Sequence, residues 1–178
     1  MTGRASVTVV GVGLVLFLLS TVGASAQSKD PLLGTWKQNV EQSRCIIPVT
    51  GNPCDPPPRV PTTRVFEDLG SGFVFASNDG VDAEGTATGN RVIFKRDGKD
   101  YPLAAPAQPG FVTIAFTTVS SSPFDSEFVI KLDGEVLSRS TETLSRDGKT
   151  YTTVTRGTNV RGQTVFSTIV FDKVTSSK

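Results

Sequence analysis

The chain has 178 residues, with 18 basic and 17 acidic side chains, two cysteines and no histidine. A charge balance this close to neutral offers no basic face for nucleic acid. Without histidine the chain lacks the commonest general base, the Ser-His and Cys-His nucleophile pairs, most catalytic zinc sites and histidine-ligated haem. Composition therefore favours neither an enzyme nor a nucleic-acid-binding protein, and we expect no catalytic residue, no metal site and no cofactor.

Residues 1–26 have the pattern of a cleavable export signal. Arg4 is the only charged residue there, the apolar run Val7 to Leu19 follows it, and the segment ends in the small residues Ala24-Ser25-Ala26. The apolar run is shorter than the roughly 20 residues that a helix needs to cross a bilayer. We therefore expect cleavage after Ala26 and one exported domain over 27–178, periplasmic or secreted, without stable membrane insertion.

A proline-rich segment follows the first predicted strand of that domain. Six prolines lie between positions 48 and 61, and this density excludes a helix or a central strand. Of the two cysteines of the chain, Cys45 precedes this segment and Cys54 lies within it. In an oxidising compartment an isolated cysteine pair is most often a disulfide, whereas a redox pair usually has C-x-x-C spacing and a metal site needs more ligands. We predict a Cys45–Cys54 bond that clips a loop over 45–61.

From residue 62 onward, β-prone runs alternate with Asp-Gly dipeptides that favour hairpin turns, at positions 79–80, 97–98, 133–134 and 147–148. No stretch has a sustained apolar period of 3.6 residues, so we expect little helix. The predicted strands are Thr35 to Val40, Thr63 to Leu69, Phe73 to Asn78, Arg91 to Lys95, Phe111 to Thr118, Glu127 to Leu132, Val136 to Leu144, Tyr151 to Arg156 and Gln163 to Lys173. The pattern predicts an all-β protein: a single antiparallel up-and-down barrel of about eight or nine strands.

Motifs along the predicted barrel carry a resemblance. The start Gly34-Thr35-Trp36-Lys37, the loop Gly80 to Gly85 and the turns that begin at Asp97 and Asp147 together resemble an uncharacterised family of secreted bacterial lipocalin-like proteins. The resemblance implies a calycin-type barrel in which the indole of the Gly-x-Trp motif lies across the closed end. It also implies that a basic side chain of the last strand packs over that indole by a cation–π contact.

In this sequence the indole is Trp36, preceded by Gly34. Lys173, at the end of the last predicted strand, is the first candidate for the cation, and Arg156 is the second. The role expected for Gly34, Trp36 and Lys173 is structural, because they would close one end of the barrel.

Two functions remain open at this level, and both rest on fold analogy. The first is the carriage or sensing of a small apolar ligand, lined by phenylalanine side chains and reached beneath the 48–61 loop, at the end opposite Trp36. The alternative is an interaction or structural protein of the envelope whose barrel is filled by its own side chains. We expect a monomer in either case.

The predicted disulfide is tested by thiol titration of the exported protein. We expect no free thiol under denaturing, non-reducing conditions and two after reduction, since the chain has no further cysteine. Closing a loop of about ten residues stabilises the fold by roughly 2–3 kcal/mol, so reduction should lower the free energy of unfolding by that amount. Two thiols in the unreduced sample would show that the prediction is wrong.

Overall fold

The computed structural model describes residues 30–53, 59–105, 110–117, 122, 124–158 and 162–175. The predicted export signal and Cys54 lie outside these ranges. The described residues form eleven strands: β1 Gly34–Ile47, β2 Asn52–Pro53, β3 Val60–Gly70, β4 Phe73–Val81, β5 Ala87–Phe94, β6 Asp100–Ala104, β7 Val112–Thr117, β8 Asp125–Leu132, β9 Glu135–Leu144, β10 Thr150–Thr158 and β11 Thr164–Lys173. Within these ranges no helix is long and apolar enough to span a bilayer.

Ten of these strands form one closed antiparallel barrel. Around the ring the order is β1, β3, β4 and onward to β11, each strand hydrogen-bonded to the next, and β11 pairs back with β1. In the closing pair Trp36 lies opposite Lys173. The eleventh strand, β2, pairs with the end of β1 and lies outside the ring. The predicted all-β, up-and-down barrel is confirmed, with more strands than the eight or nine expected.

The turn predicted at Asp79-Gly80 is wrong. Both residues continue β4, where they pair with Gly89 and Thr88 of β5. The chain turns later, over residues 82–86, where the Asp82 amide donates to the Thr86 carbonyl at 3.0 Å. An Asp-Gly dipeptide favours a turn only by its local conformational freedom, and here the pairing of two long strands outweighs that preference.

Strand β6 lies in a stretch for which the sequence predicts no strand. It has five residues and contains Pro102, which cannot donate to the ladder and which therefore argues against a strand in the middle of a sheet. Pro102 lies opposite Thr113 of β7. Two residue pairs join β6 to β5 and three join it to β7, so the proline lies in a short strand with short ladders on both sides.

The apolar core fills the end of the barrel where β1 begins and β11 ends. Trp36 and Tyr151 are fully buried there, with their ring centroids 5.6 Å apart. The indole Nε1 donates to the Leu32 carbonyl at 2.8 Å. Lys173 extends over the indole, with Nζ 4.8 Å from the ring centroid, whereas Arg156 stacks on Phe166. Trp36 and Tyr151 thus form an aromatic layer at this closed end, which we call the aromatic floor, and Lys173 covers it.

Gly34 is required at this end by both conformation and space. Its φ of +127° is one that residues with a side chain rarely adopt. A Cβ at this position would lie 3.3 Å from Cε of Lys173. A side chain here would therefore displace the lysine that lies over Trp36.

Strands β1 and β3 separate toward the opposite end. They pair from Gly34 and Phe66 up to Lys37 and Thr63. Beyond that point β1 bulges between Asn39 and Arg44, and its end pairs with β2 instead. The proline-rich loop connects the two strands at this end, which is the end opposite Trp36. Val49, in the described part of the loop, is 90% exposed.

Replacing Trp36 tests the closed end. Trp36→Ala should lower the free energy of unfolding by about 3–5 kcal/mol, because a fully buried aromatic side chain leaves a cavity and an unpaired Leu32 carbonyl. Phe111→Ala is the control, since Phe111 is 63% exposed and its truncation should change stability by less than about 0.5 kcal/mol. Urea unfolding followed by circular dichroism measures both variants, and equal losses would contradict the assignment.

Candidate functional site

A cavity of about 70 Å³ lies inside the barrel above the aromatic floor. Its apolar lining is Phe66, Ala76, Val92, Leu103, Ile114, Phe116, Phe128 and Ile130, and its polar lining is Arg64, Asn78, Asn90 and Glu142. One water needs roughly 10–15 Å³ by a comparable measure, so the space holds several waters or one end of a small molecule. The apolar side chains come mainly from β5 to β8, and most of the polar ones from β3 to β5.

Arg64 organises the polar side of the cavity. Its Nε donates to Oδ1 of Asn78, and its Nη1 lies 2.6 Å from the Tyr151 hydroxyl and 3.3 Å from Oγ1 of Thr153. The Asn78 amide donates in turn to Oδ1 of Asn90 at 2.6 Å. These bonds hold the guanidinium in one orientation within the cavity lining.

Glu142 is a buried carboxylate in the same network, with 2% of its side chain exposed. It accepts hydrogen bonds from the Tyr151 hydroxyl and, at 2.7 Å, from Oγ of Ser126. Its two oxygens lie 3.9 Å from Nη1 of Arg64 and 3.9 Å from Nη1 of Arg96. A charge buried to this extent is costly unless it is both paired and hydrogen-bonded. Two guanidinium groups and two hydroxyls meet that requirement here.

Tyr151 links Arg64 to Glu142 through its hydroxyl. Burial raises the pKa of this phenol well above its ordinary value, and the charge of Glu142 and the hydrogen bond to it act in the same direction, opposed by Arg64. The phenol therefore stays protonated at neutral pH. It can donate to Glu142 while it accepts from Arg64, which keeps both charged groups hydrogen-bonded.

Arg96 lies below the cavity, beside the stacked rings of Phe94 and Phe116, at 5.7 and 5.5 Å from their centroids. Its Nε is 3.4 Å from Oδ2 of Asp30. Its Nη1 and Nη2 are buried and have no hydrogen-bond acceptor among the described residues. A line of alternating charge, from Asp30 through Arg96 and Glu142 to Arg64, thus runs from the closed end to the cavity.

An apolar groove of about 510 Å³ lies on the outer face of the barrel next to this cavity. Its walls include Ile93 and Phe111, which are 51% and 63% exposed. Val92 and Leu103 line both the groove and the interior cavity. These two residues also form one of the two pairs that join β5 to β6, whereas eight pairs join β4 to β5. The wall between groove and cavity is therefore formed by two side chains at a weakly paired seam.

The residues that the sequence predicts to close one end of the barrel lie together. At the closed end, below the cavity, Lys173 lies over the indole of Trp36 and occupies the space beside Gly34. Cys45 lies far from them, near the end of β1, opposite Ser167 of β11. Cys54 is outside the described residues, so the Cys45–Cys54 disulfide stays a prediction.

The residues that surround the cavity, above all Arg64, Glu142 and Tyr151, are not identified by the sequence pattern. Each lies in a predicted strand, but a charged residue in a strand is normally assigned to the solvent face. Side chains two positions apart in a strand point to the same face, so Glu142 faces inward together with Leu144. In β9 the other inward residues are Ser138 and Ser140, so the apolar alternation that reveals a buried face is missing.

Comparisons with known proteins support the fold. No family model matches the chain, and no curated protein is significantly similar to it in sequence. Among solved structures, a mutant of the fluorescent protein UnaG is similar, with a TM-score of 0.55 and 13% sequence identity over 83% of this chain and 99% of that chain. At this identity the similarity is one of fold alone.

Tyr151→Phe tests the buried network. The change removes the hydroxyl between Arg64 and Glu142 and should lower the free energy of unfolding by about 1–3 kcal/mol, because two buried polar groups lose a partner. Tyr101→Phe is the matched control, since the Tyr101 hydroxyl bonds Asp97 on the exterior at 3.0 Å and its loss should cost less than about 1 kcal/mol. Equal losses in urea unfolding would contradict the proposed importance of the network.

Proposed function

We propose that the protein binds a small amphiphile, with its polar end in the barrel cavity and its apolar part against β5 and β6, and that it is not an enzyme. The observation that carries this proposal is the divided cavity lining: an apolar wall faces Arg64, Asn78 and Asn90, which are already oriented by hydrogen bonds. Ligand sites typically combine a mostly apolar wall with a few placed polar groups. The predicted export signal would place this binding outside the cytoplasm.

The size of the cavity limits how the ligand lies. Sites for drug-sized molecules have volumes of roughly 300–1,000 Å³, well above the about 70 Å³ inside this barrel. The outer groove offers about 510 Å³ directly across Val92 and Leu103. A ligand that places its end inside the barrel and its apolar part in the groove would use both spaces. Access by this route requires these two side chains to move apart.

The groove also supports the alternative function. Ile93 and Phe111 form an exposed apolar surface, and such surfaces often mark contacts with other proteins. In that case the barrel would be a filled scaffold, and the cavity would hold water alone. The two functions differ in whether a small apolar molecule reaches the interior.

Titration with Nile red, a neutral dye that fluoresces in apolar surroundings, distinguishes them. We expect saturable binding by the wild-type protein and a loss of affinity of at least about tenfold in Ala76→Leu, because the larger side chain occupies the cavity. Ala87→Leu, the same change at an exposed position outside both linings, should bind as the wild type does.

Two outcomes would contradict the proposal. If Nile red binding survives Ala76→Leu and is lost in Ile93→Ser, the dye lies on the outer groove alone, and the interaction protein is favoured. Circular dichroism of each variant confirms that the barrel is folded. Absence of saturable binding in the wild type would likewise favour the filled barrel.

A further inference from the structure

The interior charges of the barrel are balanced before any ligand binds. Arg64 and Glu142 are the two charged residues in the cavity lining, one of each sign. Below them Arg96 pairs with Asp30 as well as with Glu142. Each of these four charges thus has an opposite charge within 3.9 Å. A ligand with its own charge would disturb this balance in a site with little access to water.

We propose that the cavity selects a neutral polar end group, such as a hydroxyl or an amide, over a carboxylate, and that Glu142 is the residue that sets this selectivity. The inference rests on the proposed function, since it concerns the end of the ligand that enters the barrel. It assigns the ligand to the class of neutral amphiphiles.

The donors that face the cavity fit a neutral acceptor. The hydrogen bonds of Arg64 to Asn78, Tyr151 and Thr153 engage Nε and Nη1, and no bond from Nη2 is found within the described residues. Nη2 can therefore donate to a hydroxyl or carbonyl oxygen of a ligand. Asn90, which accepts from Asn78 through Oδ1, also lines the cavity and has its own amide group for a second bond.

A carboxylate would meet Glu142 instead of an unshared cation. The positive charge of Arg64 is already paired with Glu142 at 3.9 Å, and the Tyr151 hydroxyl joins the two groups by hydrogen bonds. A second carboxylate near Arg64 would place two negative charges a few ångströms apart in a low dielectric, where like charges repel strongly. It would also lose its hydration without gaining a free counter-ion.

Removal of the Glu142 charge should reverse this preference. In Glu142→Gln the guanidinium of Arg64 would have no counter-ion in the cavity lining, and Arg96 would keep only Asp30. Gln has nearly the shape of Glu and can still accept from Tyr151 and bond Ser126. The cavity would then carry an excess positive charge, which a ligand carboxylate could neutralise.

The experiment compares dodecanol with dodecanoate as competitors of Nile red, well above the carboxyl pKa of about 4–5, so that the two probes differ in end-group charge. We expect the wild-type protein to bind dodecanol at least about tenfold more tightly, and Glu142→Gln to lower that ratio by about tenfold or more. Glu127→Gln is the matched control: Glu127 lies on the outside of β8, 3.9 Å from Arg139, and its change should leave the ratio as it is.

Ser140→Ala separates charge from structure. It removes a buried hydroxyl of β9 that bonds Oγ1 of Thr155 at 2.7 Å, but neither a charge nor a partner of Glu142, so the ratio should stay within about twofold of the wild type. A wild-type preference for dodecanoate, or an unchanged ratio in a folded Glu142→Gln, overturns the inference and leaves the proposed function standing. Should Glu142→Gln not fold, the ratio measured for the wild type still decides whether the cavity prefers a neutral end group to a carboxylate. If the wild type binds neither Nile red nor either probe, the proposed function fails, and the inference with it.

Discussion

The pairing of β11 with β1 is the constraint on which the rest of this structure depends. Ten strands in an open sheet would present two unpaired edges, and such edges invite association with other chains. Closure removes both. Because the closing register sets Trp36 opposite Lys173, the same pairing places the cation over the indole and decides which end of the barrel is sealed. It also sets which residues face inward, since a slip by one position would turn every side chain of a strand to the other face.

The interior that results combines an aromatic floor with a line of charges. Asp30, Arg96, Glu142 and Arg64 alternate in sign, and neighbours in this order lie within 3.9 Å of one another. Well-packed apolar residues of similar volume would often stabilise a core as well or better. Four charges in and beside the core are therefore poorly explained by stability alone. Their position beside the cavity is what a recognition site for a polar group requires, and this supports a binding role over a filled barrel.

The fold is predictable from the sequence because a β-barrel repeats one local signal along the chain. Turn dipeptides such as Asp133-Gly134 separate β-prone runs, and most of these runs are strands. At Asp79-Gly80 and Pro102 the local signal is overruled by pairing with the next strand along the chain. The cavity residues could not be found from the chain alone. Glu142 looks like any surface acid until the register of β9 against β10 places it opposite Thr153, among inward-facing side chains.

The short pairing between β5 and β6 bears on how a ligand could enter the barrel. Closure demands continuous pairing, yet only Arg91 with Ala104 and Val92 with Leu103 join these strands. Among the strand pairs of the ring in the described part of the chain, this one has the fewest residue pairs, so we expect it to open at the least cost, since few hydrogen bonds must break. The same two strands carry the side chains that separate the groove from the cavity. The seam with the fewest residue pairs thus coincides with the place where Val92 and Leu103 line both the cavity and the groove, and it is distinct from the end that Trp36 and Lys173 close.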